Sequence, residues 1–260
     1  MKKVALFIGP SGVGIQFPPA FSVYPPAAMG SVFRAVEEGY STIAIVDGYF
    51  GNVPSVWHKE IIYAMSEGVG VVGSSSMGAL RAAELHQHGM LGVGVVFKLF
   101  ARSILNDDDE VCVSHCPREL DYRPLTYAMV NLRFAFRRMR VLKIITKDDE
   151  LRFVAHMKGL HFSLRDGEGL RQVLEAEASG GNRDLWKQFQ HCYRDVKAAD
   201  AERLVNMLNC SNFSKKITVG NRCHFPRTAH WRVQFENKRD DLPALGFDAG
   251  AFRGVTLVNR

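Results

Sequence analysis

The sequence predicts an α/β fold, with a mainly parallel sheet and crossover helices in the N-terminal half and a helical C-terminal half packed against it. Up to about residue 130, short β-branched apolar runs alternate with helical patterns, which is typical of parallel strands joined by helices. From about residue 120 the strand-like runs disappear. The 260 residues are 47% hydrophobic and 23% charged, the composition of a globular protein large enough for one sizeable core or two modest domains.

The elements follow from periodicity and from their end signals. The predicted strands are 4–9, 41–48 and 69–72. The predicted helices are 31–39, 54–68, 77–89, 124–142, 146–160, 182–196 and 198–209. Ser55 is expected to cap the second helix, and Thr146 with Asp149 three residues later is expected to open the fifth. The resulting division is an α/β core over 1–140, a helical region over 141–210, and an irregular, basic segment over 211–260.

Composition limits the class of protein. There are 33 Lys and Arg against 27 Asp and Glu, so a net charge of +6 permits an acidic partner without requiring nucleic acid. Five cysteines without zinc-site spacing predict reduced thiols. The first apolar run is too short for a signal peptide, and no run approaches the roughly 20 residues of a membrane helix. We therefore expect a cytoplasmic protein with no membrane contact, no cofactor and no resident metal.

The stretch "VGVVGSSSMGALRAAEL" predicts a strand, a tight turn of serines, and a helix. Ser76 falls at the turn and Gly78 lies two residues later, so the pattern S-x-S-x-G approximates a G-x-S-x-G nucleophile elbow. A serine at such a turn projects from the carboxyl edge of the sheet. The first amides of the helix, at Met77 and Gly78, are candidates for holding an oxyanion. Serines before a helix are also common N-caps, which is the structural alternative.

A serine hydroxyl needs a base to act as a nucleophile. The preceding helix begins with "VWHKE", and in a right-handed βαβ unit its first turn packs beside the strand that leads to the serines. His58 is the conventional base. Lys59, beside Trp57 and a helix N-terminus that disfavours positive charge, is a candidate neutral base.

Three other stretches of the sequence, two charged and one rich in glycine, are candidates for binding. "NDDDEV" (106–111) reads as a solvated acidic face or, functionally, as a docking surface rather than a metal site. The basic stretch 131–147 reads as an exposed helix face for an acidic partner, because no nucleic-acid motif accompanies it. "GPSGVG" (9–14) lacks the ending of a phosphate loop. Asp47, at the end of the second predicted strand, is the better pocket candidate.

These residues carry a resemblance. The Asp-Gly at 47–48, "VWHKEI" at 56–61, "SSMGALRAAEL" at 75–85 and "DDEV" at 108–111 resemble the TfuA-like proteins, companions of YcaO enzymes in peptide-backbone thioamidation. The similarity runs from about residue 4 to 140. It implies a Ser-Lys pair, here Ser76 as nucleophile and Lys59 as base. Asp47, Trp57, His58, Ser75 and Arg81 would line the substrate site.

The resemblance implies that the protein cleaves the C-terminal thiocarboxylate of a ubiquitin-like, ThiS-type sulfur carrier and supplies sulfide to a YcaO enzyme, which modifies a precursor peptide. Two departures from the family pattern stand out: Gly30-Ser31 follows Pro25-Pro26-Ala27 where the family has Gly-Asp, and Ser74 replaces an alanine. Two alternatives stay open. One is a non-catalytic adaptor that docks a YcaO enzyme to its peptide, and the other is a phosphate-binding α/β protein that uses the serine turn.

Overall fold

The structure is a computed structural model that describes residues 3–51, 53–177, 184–210, 217 and 225–236. The chain forms two compact units. The first unit combines Met1–Asn106 with Ala198–Arg260, and the second is Asp107–Lys197. Among the described residues, no helix is long and apolar enough to cross a membrane. Most of the predicted irregular segment 211–260 lies outside the described residues.

The first unit is built on one five-stranded parallel sheet. Its strands are β1 (Val4–Phe7), β2 (Phe21–Tyr24), β3 (Thr42–Ile45), β4 (Gly70–Ser74) and β5 (Leu91–Val93). Their order is β2-β1-β3-β4-β5, and every neighbouring pair is parallel. This confirms the predicted fold class. The two edge strands, β2 and β5, were not predicted, since β2 lies between two proline pairs and β5 has only three residues.

The helices are numbered in chain order. They are α1 (Ser31–Glu37), α2 (His58–Ser66), α3 (Met77–Leu85), α4 (Val95–Ala101), α5 (Met129–Val141), α6 (Lys147–Gly159), α7 (Gly167–Glu177), α8 (Leu185–Cys192), α9 (Val196–Asn209) and α10 (Ala229–Trp231), the last continued by a π-helical turn, Arg232–Glu236. Helices α4, α7 and α10 were not predicted, and α10 with its π-helical turn lies in the segment 211–260 that was predicted to be irregular. The helical pattern of α7 is weak in the sequence because Gly167 and Gly169 both lie in the first turn of this helix.

Both faces of the sheet are buried, and different parts of the chain cover them. The crossovers through α1, α2 and α3 all move toward β5, so their right-handedness places all three helices on one face. They pack there on alternate strand residues such as Phe7 and Ile45. The other face, with Leu6 and Val46, is covered by α9. A helix from the C-terminal half therefore packs against the sheet, as predicted.

Two helix caps were predicted from the sequence, and the structure confirms the one at α6 but not the one at α2. The Thr146 hydroxyl accepts from the Asp149 amide at 3.1 Å and the Asp149 carboxylate accepts from Thr146, which confirms the predicted capping box of α6. Ser55 does not cap α2. The N-cap there is Trp57, and the Ser55 hydroxyl donates to the Tyr49 carbonyl at 2.9 Å. The second unit packs α5, α6 and α8 around Phe136, Phe153 and Phe189.

Candidate active site

Three segments meet at the carboxyl edge of the sheet. β1 is followed by a 3-10 turn, Pro10–Gly12; β3 is followed by Asp47 and Gly48; and β4 ends at Ser74, directly before Ser75 and Ser76. Since β1, β3 and β4 are parallel neighbours, their carboxyl ends lie side by side. Parallel α/β sheets bind ligands at this edge.

The serine turn is an elbow between β4 and α3, as the sequence predicts. Ser75 has φ 65°, in the left-handed region that costs a residue other than glycine roughly 1–2 kcal/mol. A Cβ atom on Gly78 would lie 1.8 Å from the Ile45 carbonyl oxygen, so α3 starts in direct contact with β3. Only glycine fits this close approach.

The three hydroxyls of the turn have different surroundings. Ser74 is fully buried. Its hydroxyl donates toward two carbonyl oxygens, that of Val93 at 2.9 Å and that of Asp200 at 3.0 Å. Ser75 is also fully buried and donates to the Ser11 hydroxyl at 2.9 Å. Ser76 retains 3% exposure and is the N-cap residue of α3, although its side chain makes no capping hydrogen bond to that helix. Ser74 is thus a structural residue, whereas Ser75 and Ser76 remain candidates for chemistry.

Asp47 lies where the sequence places it, and it organises the loop after β1. Its Oδ2 accepts from the amides of Gly9 and Ser11, both at 2.9 Å, and its Oδ1 accepts from the Ser11 hydroxyl at 2.8 Å. Asp47 is 3% exposed and Ser11 is 2% exposed. Sequence reasoning did not single out Ser11. The available signal was its position directly after β1, which places it at the same edge as Asp47.

The two predicted oxyanion donors differ in the structure. The Gly78 amide donates to the Val46 carbonyl at 3.2 Å, because α3 packs against the end of β3. The Ser76 amide is held by Ser74 and Val46. Met77 occupies the first position of α3, where helix geometry provides no intrahelical acceptor for its amide. Met77 is therefore the better placed of the two predicted donors.

The remaining predicted residues form a surface groove beside the start of α2. Its volume is about 350 Å³, and its lining residues are Pro54, Ser55, Val56, Trp57, His58, Lys59 and Arg81. The structure thus brings together four of the predicted site residues at the start of α2 and in α3: Trp57, His58, Lys59 and Arg81. The three serines and Asp47 lie at the buried elbow and are not among the residues that line the groove.

Charge within the groove is mostly compensated. His58 Nε2 lies 2.7 Å from Glu84 Oε2, and Arg81 Nη1 donates to the same oxygen at 2.7 Å. Burial alone would raise the pKa of Glu84, but the hydrogen bonds from His58 and Arg81 outweigh it and lower that pKa. Arg81 also donates through Nε to the Val56 carbonyl at 3.2 Å. Trp57 stacks on His230 with ring centroids 5.5 Å apart.

Lys59 is the cation of the groove that remains available. Its side chain is exposed, and it makes no hydrogen bond or ion pair with any residue in the described part of the chain. The expected hydrogen bond between Lys59 and Ser76 is therefore not seen. The reason is the orientation of α2, which turns Glu60, Ile61 and Ala64 inward and leaves Lys59 on the solvent side.

Glu60 is a buried carboxylate that joins two helix N-termini. It accepts from the Trp57 amide at 3.2 Å at the start of α2, and from the amides of Gly30 (2.9 Å) and Phe33 (3.3 Å) at the start of α1. Burial is the largest influence and raises the pKa of Glu60 to about 7, although the backbone hydrogen bonds act in the opposite direction. Glu60 thus ties the start of α2, which lines the groove, to the start of α1.

The acidic run of the second unit is exposed at Asp107 and Asp108, as the prediction of a solvated face requires, but its clustered carboxylates are paired rather than a free ligand set. Asp107, Asp109 and Glu110 bring one oxygen each within 4.8 Å of one another. Lys158 pairs with all three, at 3.0 Å from Asp107 and 3.1 Å from Glu110. Arg165, fully buried, pairs with Asp109 at 2.5 Å. Glu110 is 2% exposed, so the prediction of a solvated or docking surface is wrong for this residue.

A family model described as TfuA-like protein matches residues 47–166, just under half of the chain. The chain carries a TfuA-like region. This region begins at Asp47 and includes the serine turn, the groove and the acidic run, while Ser11 lies before it. The match supports involvement of the chain in YcaO-linked thioamidation, as the resemblance implies. A search of curated proteins finds no match.

Proposed function

We propose that the protein is a hydrolase that releases sulfide from the C-terminal thiocarboxylate of a small ubiquitin-like sulfur carrier, and that a YcaO enzyme uses the sulfide on a precursor peptide. The observation that carries the proposal is the elbow itself. Ser75 has a left-handed backbone conformation at the junction of β4 and α3, with Ser76 beside it. Strained turns of this kind place a nucleophilic hydroxyl at the edge of an α/β sheet.

The groove supports the proposal because of its position and charge. It lies along α2 and α3, and it carries one exposed lysine without a partner among the described residues, next to Arg81 and His58. An extended protein tail that ends in an anionic thiocarboxylate has the charge that such a groove attracts. Trp57 offers an apolar wall to that tail.

The mechanism derived from the sequence has Ser76 as nucleophile and Lys59 as base, and it is one of two assignments that the serine turn allows. Because Lys59 makes no contact with Ser76 in the free protein, this pair requires Lys59 to move onto the elbow when the carrier binds. The other proposed substrate contacts are Asp47, Trp57, His58, Ser75 and Arg81, and the Met77 amide is the proposed oxyanion donor.

The decisive experiment incubates the purified protein with a ThiS-type carrier that bears a C-terminal thiocarboxylate, and it measures released sulfide and the carboxylate product. We expect catalytic release by the natural protein. Lys59→Ala should reduce the rate about 100-fold or more if Lys59 is the base. Lys98→Ala, which changes an exposed lysine of α4, is the matched control and should leave the rate unchanged. Absence of sulfide release by the natural protein contradicts the hydrolase proposal.

A second candidate is the non-catalytic adaptor, and one surface favours it. Phe134, Arg137, Arg138 and Val141 follow the i, i+3, i+4, i+7 spacing and are exposed along α5. Phe134 is 37% and Val141 is 65% exposed, and neither arginine has a hydrogen bond or ion pair with a described residue. Such a mixed basic and apolar stripe fits an acidic protein partner.

The adaptor has its own test. Arg137→Glu with Arg138→Glu should weaken binding of the sulfur carrier or of the YcaO enzyme about tenfold or more in a calorimetric titration, and salt should weaken the natural interaction. Arg171→Glu, an exposed arginine of α7, serves as the control. Unchanged affinity for both partners removes the stripe from the binding surface.

The phosphate-binding alternative has less support. The Ser76 and Gly78 amides of the serine turn, which would face a phosphate, donate instead to the carbonyls of Ser74 and Val46. A phosphate at this turn would have to compete with those carbonyls for the two amides.

A further inference from the structure

A continuous chain of hydrogen bonds joins the elbow to a buried carboxylate. Ser75 Oγ donates to Ser11 Oγ at 2.9 Å, and Ser11 Oγ donates to Asp47 Oδ1 at 2.8 Å. The other carboxylate oxygen of Asp47 is held by the amides of Gly9 and Ser11. Every member is at most 3% exposed. The hydroxyl proton of Ser75 therefore has a defined path to an acceptor, whereas Lys59 has no contact with the turn.

The strand order places this chain at the point where α/β sheets bind ligands. From β1 the chain crosses to β2 on one side, and from β2 it crosses back to β3 on the other, so β1 and β3 form the topological switch point. Ser11 follows β1 and Asp47 follows β3. Ligands in sheets of this order bind in the crevice at that point.

The conformation of Ser75 supports a role in chemistry over one in packing. Glycine would adopt φ 65° without strain, but the sequence has a residue with a hydroxyl there, and that hydroxyl is the first member of the chain. Strain of this kind clusters at functional sites.

We propose that Ser75 is the attacking hydroxyl, that Ser11 relays its proton and that Asp47 accepts it. This inference rests on the proposed function. As Ser75 Oγ bonds to the acyl carbon of the thiocarboxylate, its proton passes to Ser11 while the Ser11 proton passes to Asp47 Oδ1. The C–S bond then breaks, Ser11 passes the proton that it received from Ser75 to the departing sulfur, and Ser11 recovers its own proton from Asp47 Oδ1, so the sulfur leaves as HS⁻. Water then hydrolyses the acyl-serine ester, which restores the hydroxyl and yields the carboxylate and one proton.

Two sets of variants test this assignment on the full chain, with the thiocarboxylated carrier as probe. Ser75→Gly relieves the backbone strain, so it should fold at least as well as the natural protein and release no sulfide above background. Ser11→Thr and Ser11→Val have the same shape, but only threonine keeps the hydroxyl. We expect Ser11→Val to lower kcat at least about 100-fold with KM changed by less than about threefold, and Ser11→Thr to recover most of the loss.

The outcomes separate this inference from the proposed function. A folded Ser75→Gly variant that still releases sulfide overturns the assignment and leaves the hydrolase intact, with Ser76→Ala then expected to be inactive. Equal activity of Ser11→Thr and Ser11→Val overturns the role of the Ser11 hydroxyl as a proton relay. If neither Ser11 variant folds, Asp47→Asn measures the same pathway, and full kcat in that variant overturns it. Absence of release by the natural protein ends both proposals.

Discussion

A Cβ atom on Gly73 would lie 2.0 Å from the carbonyl oxygen of Gly78, so these two glycines face each other across the serine turn. Gly73 is in β4, and Gly78 is at the second position of α3. The strand and the helix that follow each other in sequence therefore touch at backbone level. The three serines are held in the short connection between them.

Gly78→Ala should be one of the more destabilising changes to a small residue in this chain. The added methyl would lie 1.8 Å from the Ile45 carbonyl oxygen at the end of β3. The backbone of α3 or of β3 must therefore move to make room for it. We expect a loss of about 3 kcal/mol or more in the free energy of unfolding, measured by urea denaturation. Gly159→Ala is the control, because nothing lies within 4 Å of its Cβ position and alanine favours a helix. Equal stability of the two variants would contradict the close approach.

Ser74→Ala should lower the stability of the protein without changing its rate of sulfide release. It removes the hydroxyl that donates toward the carbonyls of Val93 and Asp200 in a fully buried position. We expect a loss of about 1–2 kcal/mol in stability and an unchanged rate of sulfide release per folded molecule. Ser41→Ala, at an exposed serine, should change neither quantity. Loss of sulfide release by folded Ser74→Ala would instead place this hydroxyl in the reaction.

Glu60 should make stability fall as pH rises. Its folded pKa is raised to about 7 from 4.5, so the protonated form is favoured by folding. The stabilisation is fully present below the unfolded pKa and is lost as pH rises through the folded one. We expect a decline of about 3 kcal/mol between about pH 4.5 and 8 from this group.

Glu60→Gln should remove the decline in stability with rising pH that Glu60 causes. This holds even if the substitution changes the stability measured at any single pH. Glu67→Gln, at an exposed carboxyl at the end of the same helix, is the matched control and should keep the slope. Chemical denaturation at a series of pH values measures both. A slope that is the same in Glu60→Gln and in the natural protein would assign the pH dependence to another group.

Arg165→Ala should unfold the second unit more readily. Arg165 is fully buried and donates to the carbonyls of Met157, Leu160 and Asp109 at 2.8–3.1 Å. Its removal leaves buried acceptors without a donor, with an expected cost of about 3–5 kcal/mol. Arg171→Ala, at an exposed arginine paired with Glu175, should have little effect. Hydrogen exchange of α6 and α7 localises the change, and protection equal to that of the natural protein would contradict it.

The sequence by itself determined the features that depend on neighbouring residues. Apolar runs and end signals predicted the parallel sheet and the strand, turn and helix around Ser76. The same local patterns placed Asp47 just after its strand and Thr146 at the cap of α6. Such features follow from spacing over about one or two turns of helix or one strand, which a single sequence displays directly.

Only the tertiary structure decided which distant groups meet. Ser75 contacts Ser11 across 64 residues, Ser11 contacts Asp47 across 36, and Ser74 contacts Asp200 across 126. The order of β1 between β2 and β3, and the cover that α9 gives to one face of the sheet, create these contacts. The same packing leaves Lys59 in solvent and buries Glu60 beside it. A buried polar group needs a partner, but the segment that supplies the partner is chosen by how the whole sheet and its helices pack.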